Sequence, residues 1–148
     1  MTFKATQSVR VMISSRCTDK VMFDGEQRPM SDIRREIKKR IEEIRVADSA
    51  LFEVWIHEEE SHTANDQSCW DVCMGQARKA DVFLVLYNGR AGWFGNSQKI
   101  GDHVGICHAE FHEAFNHCPS KVRAIQFPSI RARPGSPDKN FQKYFEIR

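Results

Sequence analysis

Glu110 is the residue whose type and position most favour chemistry in this chain. It lies in a segment, 104–117, whose apolar residues recur at helical spacing: Cys107, Phe111, Ala114, Phe115 and Cys118. On a helical wheel Glu110 lies roughly 85° from the centre of that stripe, which predicts a position at the boundary of the core. A carboxylate there is partly desolvated and still reaches a ligand, so Glu110 is a candidate catalytic group. An ordinary surface glutamate is the competing interpretation.

Histidine and cysteine pairs resemble parts of metal sites, but their spacing argues against that function. His57 and His62 are five residues apart, whereas the H-E-x-x-H zinc helix needs four. Two other pairs lack a partner pair at a zinc-binding spacing: Cys69 with Cys73, and His108 with His112. The chain also lacks G-x-G-x-x-G, a phosphate-binding P-loop and G-x-S-x-G. These absences argue against metal chemistry, classical dinucleotide or P-loop binding, and a serine hydrolase.

Strands and helices are predicted to alternate along the chain. Period-two apolar residues predict a first strand at 8–14, and the uninterrupted run 82–87 predicts a strand buried on both faces. Further strands are predicted at 51–57 and 121–127, and helices at 31–46, 67–79, 104–117 and 136–147. This order predicts an α/β fold with a doubly wound, mostly parallel sheet of about four to five strands and helices on both faces.

Polar residues follow three of these strands, at the edge where doubly wound sheets bind ligands. They occupy positions 14–16, 57–62 and 88–95. Five of the eight glycines lie between Gly89 and Gly105, which predicts a mobile or ligand-shaped loop before the Glu110 helix.

The helix predicted at 31–46 is amphipathic and basic. Ser31 is the expected N-cap. The apolar stripe consists of Ile33, Ile37, Ile41 and Ile44. The basic residues beside it are interpreted as a solvated face: Arg34, Arg35, Lys38, Lys39 and Arg40.

Length and composition predict one globular domain. The 148 residues are 41% hydrophobic and 28% charged, enough for one core and too few for two domains of ordinary size. We expect a core at about 8–127 and a C-terminal extension at 128–148. No apolar run approaches the ~20 residues that span a membrane, and the first residues lack a secretory signal. Five cysteines in such a chain indicate reduced thiols, so a cytoplasmic protein is expected.

The net charge of +2 hides an uneven distribution. Residues 1–47 carry +4, residues 48–77 carry −7 and residues 120–148 carry +5. The basic segments lack interleaved stacking aromatics, which argues against nucleic-acid binding. Faces of opposite charge instead suit head-to-tail packing of identical domains, so a homo-oligomer is expected.

Several segments together resemble the TIR-like domain found at the N-termini of many STAND-type NTPases. That family shows an I-S-S start with a following Asp, a strand and loop ending in G-x-R-x-G, and a helix with E-[YF]-x-x-A. The corresponding residues are Ile13 to Ser15 with Asp19, Asp81 through Gly92, and Glu110-Phe111 with Ala114. The resemblance covers about residues 8–127 and rests on order and spacing. Two departures are a longer loop after the first strand and the absence of the family's S-I-T start in the Glu110 helix.

The resemblance implies a flavodoxin-like fold and cleavage of the nicotinamide–ribose bond of NAD, with NAD as substrate and no cofactor or metal. Glu110 then holds the position of the catalytic glutamate of TIR NAD glycohydrolases. It stabilises an oxocarbenium-like ribose. The implied substrate contacts are Ser14, Ser15 and Arg16 to ribose or phosphate, Arg90 to phosphate, Trp93 or Phe94 by stacking, and the motif positions Asp19 and Gly92.

The resemblance leaves other functions open. TIR-like domains act in immune or stress signalling, including anti-phage defence, usually with further domains of a longer protein. Some are interaction and self-association modules without activity, and nucleoside deoxyribosyltransferases share the architecture. An N-glycosidase for nucleosides is therefore a further alternative. Arg90 has its own competing interpretation, an ion pair with Asp19 or Glu110.

Overall fold

The computed structural model describes residues 8–15, 19–56, 66–92, 94–97 and 101–147, with the backbone alone at 66–69, 94–97 and 101–103. Its strands, in chain order, are β1 (Val9–Ser15), β2 (Lys20–Phe23), β3 (Glu26–Pro29), β4 (Arg45–Val46), β5 (Ser49–Ala50), β6 (Phe52–Ile56), β7 (Val82–Tyr87), β8 (Phe94–Ser97), β9 (Gly101–Gly105) and β10 (Val122–Gln126). The α-helices are α1 (Met30–Glu42), α2 (Asp66–Lys79), α3 (Ile106–His117) and α4 (Pro137–Ile147).

The described strands include a four-stranded parallel sheet in the order β10-β7-β1-β6. From β1 the chain crosses to β6 on one side and then returns past β1 to β7 on the other side. This reversal is the defining feature of a doubly wound sheet of the flavodoxin type. The predicted α/β fold class is therefore confirmed.

Helices pack on both faces of this sheet because successive side chains of a strand point to opposite sides. On one face, Val11 and Ile13 of β1 pack with Met30 and Ile33 of α1. On the other face, a larger cluster joins the sheet to α2, α3 and α4 through Met12, Phe83, Val85, Cys73, Phe111 and Phe141.

Two segments expected as loops contain antiparallel hairpins. β2 pairs with β3 around Asp24 and Gly25, whose φ angles of +54° and +79° suit a tight two-residue turn. β8 pairs with β9 within the glycine-rich segment before α3. The expectation of a loop throughout that segment is wrong, since backbone pairing organises part of it.

The helix after the first hairpin begins one residue earlier than its predicted cap. Pro29 occupies the N-cap position, with no side-chain hydrogen bond, and α1 ends at Glu42. The Met30 amide donates to the Asp19 carbonyl oxygen at 2.7 Å, so backbone from the preceding segment satisfies the first N–H group. The prediction of Ser31 as N-cap is therefore wrong.

The C-terminal segment contains the expected helix, and that helix completes the core. Phe141 is buried beside Phe111 of α3, and Phe145 stacks on Tyr87 with ring centroids 3.7 Å apart. α4 therefore covers both α3 and the end of β7. Within the described ranges, no helix combines the length and apolar character required to cross a bilayer.

Lys121, which directly precedes β10, forms hydrogen bonds with the C-terminal end of α2. Its buried ammonium donates to the carbonyl oxygens of Ala77, Arg78 and Ala80 at 2.8, 3.0 and 2.9 Å. Ala77 and Arg78 are in the last turn of α2, whose carbonyl groups lack intrahelical partners, and Ala80 follows the helix directly.

Lys121→Met is expected to lower the free energy of unfolding by about 2 kcal/mol, because three acceptors lose a charged donor. Urea denaturation of the wild type and the variant measures this difference. The exposed Lys79→Met, at the same helix end, is the matched control and should change stability by less than about 0.5 kcal/mol. Equal effects of the two substitutions would contradict the capping role.

Candidate active site

The candidate site lies where the chain reverses direction in the sheet, between β1 and β7. Ser14 and Ser15 are the last residues of β1 and pair with Val85 and Leu86 of β7. Asn88 follows β7 directly. Ligands of doubly wound sheets bind beyond the carboxyl ends of the strands at such a point.

Glu110 is buried, with 5% of its surface exposed. The prediction that it lies at the boundary of the core is therefore wrong. The reason is tertiary: α3 packs against the sheet and α2, where Ser14 and Cys73 hydrogen-bond with Glu110, and α4 packs on its apolar stripe at Phe111. A helix covered in this way has no simple solvent face, so a wheel centred on one apolar stripe underestimates burial.

Ser14 and Glu110 are brought together across 96 residues of sequence. The Ser14 hydroxyl donates a hydrogen bond of 2.7 Å to Glu110 Oε1. Both side chains are buried. The pair therefore places an oriented carboxyl group at the end of the central strand, where solvent competes little for its hydrogen bonds.

The pKa of Glu110 is raised from 4.5 to about 7, chiefly because burial disfavours the charged carboxylate. The Ser14 hydrogen bond, the positive charge of Arg34 and a hydrogen bond with Cys73 act in the opposite direction. Near neutral pH the group therefore exists in both protonation states. It can stabilise developing positive charge when ionised, or donate a proton when neutral.

Arg34 is a second buried charged residue at this site, with 2% of its surface exposed. The interpretation of Arg34 as part of a solvated face is wrong. It lies four residues after the buried Met30 and seven before the partly buried Ile41, so these three share one side of α1. That spacing is visible in the sequence and is the signal that identifies Arg34.

Asp19, Asn88 and Arg90 form a polar cluster at the same edge. Asn88 Nδ2 donates to Asp19 Oδ2 at 2.9 Å, and Arg90 Nε lies 3.1 Å from the same oxygen. Arg90 Nη1 lies 3.9 Å from Asp138 Oδ2, and the Ala91 amide donates to Asp138 Oδ1 at 2.7 Å. Arg90 thus forms the ion pair with Asp19 that its competing interpretation expects, and it joins the loop after β7 to α4.

Two glycines allow the loop after β7 to lie against the start of α3. Gly92 has a φ of +83°, and a Cβ atom there would lie 2.9 Å from Ile106 Cγ2 and 3.0 Å from Cys107 Sγ. A Cβ atom on Gly105 would lie 2.1 Å from the Ala91 carbonyl oxygen, which accepts a hydrogen bond from the Cys107 amide. This close approach positions α3, and with it Glu110 one turn later.

The structure describes only some of the remaining candidate residues. Ser15 is buried at the end of β1. Phe94 begins β8, where only the backbone is described, and Arg16 and Trp93 lie outside the described residues. His57 and His62 also lie outside them. Among the described side chains no group of three histidine, cysteine, aspartate or glutamate residues is arranged to hold a metal ion.

A comparison of the chain with protein-family models, with curated proteins and with solved structures finds no match. The candidate site is therefore assigned from the geometry at the carboxyl ends of β1 and β7. Its central elements are a buried carboxyl group, the serine that orients it and a buried guanidinium.

Proposed function

We propose that this chain cleaves the N-glycosidic bond between nicotinamide and ribose in NAD, with Glu110 as the catalytic carboxylate. The observation that supports the proposal most is the Ser14–Glu110 hydrogen bond, buried at the reversal point of the sheet. The resemblance of the Ile13–Ser15, Asp81–Gly92 and Glu110–Ala114 segments to TIR-like domains points to the same chemistry.

A single carboxylate suits this reaction because nicotinamide in NAD is already a cationic leaving group. Its departure takes the bonding electrons and leaves positive charge on the ribose ring, as in glycoside hydrolysis. An ionised Glu110 in a low-dielectric setting stabilises that charge more strongly than water does. Water then adds to the ribose carbon and gives up one proton to Glu110 or to solvent, or a nucleophilic group of the same substrate adds to that carbon in a cyclisation.

Ser14 is a positioning residue in this proposal. Its hydroxyl holds Glu110 Oε1 and favours the ionised form of the carboxylate against the cost of burial. The cation of Arg34 acts in the same direction. The two residues therefore favour the charged form of Glu110, although only 5% of the surface of this residue is exposed.

Self-association is part of the proposal because Glu110 has little exposed surface in the isolated chain. The opposite charges of 48–77 and the two ends of the chain suit head-to-tail contacts between copies. Such contacts would couple activity to assembly, as expected of an effector domain in immune or stress signalling.

The test is nicotinamide release from NAD by the purified chain, measured as a monomer and when fused to an oligomerising coiled coil. Release that is higher in the oligomer and absent from Glu110→Ala supports the proposal. Release no higher than in the Glu110→Ala control, in either state, contradicts it. Hydrolysis of nucleosides without cleavage of NAD selects the nucleoside N-glycosidase instead.

A non-catalytic interaction module is the second candidate, and one observation favours it. Arg90 is engaged by Asp19 and Asp138, so charged groups at this edge already bind one another. This function predicts that charge reversal of the acidic residues at 58–60 abolishes self-association, whereas Glu110→Ala leaves it intact. Sedimentation of the two variants distinguishes it from the enzyme.

A further inference from the structure

Arg34 presents one complete edge of its guanidinium without a partner. Within the described part of the chain, neither Nε nor Nη2 has a hydrogen-bond acceptor, although both atoms are buried. These two nitrogens lie on the same side of the planar group. They form the fork that binds two oxygens of a phosphate or carboxylate at once.

The nearby acidic side chains of α1 form ion pairs with basic residues other than Arg34. Asp32 lies 3.6 Å from Arg35, Glu36 lies 2.6 Å from Arg28 and 2.9 Å from Arg40, and Glu42 lies 3.6 Å from Lys38. Arginine stays protonated in proteins, so Arg34 cannot escape the cost of burial by losing its charge. An anion at the Nε–Nη2 edge would offset that cost.

The position of Arg34 limits what this anion can be. Its charge acts on Glu110, so the guanidinium and the proposed catalytic carboxyl group lie in one neighbourhood. Arg34 is also in the second turn of α1, near the helix N-terminus, where the backbone dipole favours negative charge. Both features favour an anionic group of the molecule whose ribose lies at Glu110.

We propose that the Nε–Nη2 edge of Arg34 binds a phosphate group of the substrate, which makes the substrate a nucleotide and not a nucleoside. The identity of the nucleotide rests on the proposed function, whereas binding of phosphate at Arg34 does not require turnover. The two nitrogens of the buried fork can bind two oxygens of one phosphate group. An uncharged nucleoside is disfavoured because it would leave the buried guanidinium unpaired.

Calorimetric titration with ADP-ribose, ribose 5-phosphate and adenosine tests this inference without catalysis, since none of them carries the bond to nicotinamide. The wild type is expected to bind ADP-ribose at least about tenfold more tightly than adenosine, and to bind ribose 5-phosphate measurably. Equal affinities for ADP-ribose and adenosine would overturn the inference, whatever the variants do.

Arg34→Met and Arg34→Lys identify the residue, and Arg35→Met is the matched control on the exposed side of the same helix. Arg34→Met is expected to remove the preference for ADP-ribose, and Arg34→Lys to reduce it, because lysine keeps the charge and loses the fork. Circular dichroism checks that each variant is folded. If Arg34→Met does not fold, Arg34→Lys and the wild-type preference decide. Bidentate binding at Arg34 is contradicted if folded Arg34→Lys keeps the wild-type preference for ADP-ribose over adenosine. It is also contradicted if Arg35→Met loses that preference as much as Arg34→Met does.

The outcomes also separate this inference from the proposed function. Arg34-dependent binding of ADP-ribose without nicotinamide release supports the phosphate site and contradicts the NAD-cleaving activity. Nicotinamide release from NAD with no contribution of phosphate to affinity supports the activity and contradicts the phosphate site.

Discussion

Replacing Glu110 with glutamine is expected to lower the rate of nicotinamide release from NAD by about a thousandfold, on the scale of losing one transition-state electrostatic contact. Glutamine has nearly the same shape and keeps a side-chain oxygen that can accept the Ser14 hydrogen bond. It cannot carry the negative charge that stabilises an oxocarbenium-like ribose in the proposed reaction. The loss is therefore expected in kcat, with a smaller change in KM.

The matched control for this substitution is Glu113→Gln, one turn further along α3. Glu113 is also buried, and its carboxylate lies 3.8 Å from Arg78. Initial rates of nicotinamide release at pH 8 should fall by no more than a few-fold in Glu113→Gln. A similar loss in both variants would indicate damage to the helix, and a Glu110→Gln rate within tenfold of the wild type would rule out a catalytic carboxylate.

Local periodicity is sufficient to predict the elements that position the site. The alternation in β1 and the uninterrupted apolar run of β7 identify two central strands, and β7 matches its predicted bounds of 82–87. Right-handed crossovers then bring their carboxyl ends to one edge of the sheet. The meeting of Ser14 with the α3 helix follows from that topology, which explains why residues 96 positions apart become partners.

The burial of Glu110 depends on contacts that periodicity does not encode. Glu110 hydrogen-bonds with Ser14 of β1 and Cys73 of α2, so neighbouring elements cover its side of α3, while α4 packs on the apolar stripe itself at Phe111. The burial of Arg34 can be predicted only by comparing its position with those of Met30 and Ile41 on the helix. Its immediate neighbour Arg35 is exposed and gives no such signal. The ion pair of Arg90 with Asp19 likewise joins distant loops, whose paths sequence patterns leave open.

Glu110 should also make the stability of the folded chain depend on pH. Its pKa is about 7 in the folded state against 4.5 for an unperturbed glutamate, so the folded state binds this proton more tightly than the unfolded state. The resulting stabilisation is fully present below about pH 4.5. It is lost as the pH rises towards 7 and the loss levels off above that value. The difference corresponds to about 3 kcal/mol.

Glu110→Gln removes this titration, so its stability relative to the wild type should rise by about 3 kcal/mol between pH 4.5 and pH 8. Urea denaturation of both proteins across this range gives the difference, and the other titrating groups cancel in the comparison. A constant difference between wild type and Glu110→Gln would mean that Glu110 is ionised without cost, and its burial would then contribute little to catalysis. A difference that rises with pH would show that the fold resists forming the charge on which the proposed reaction depends.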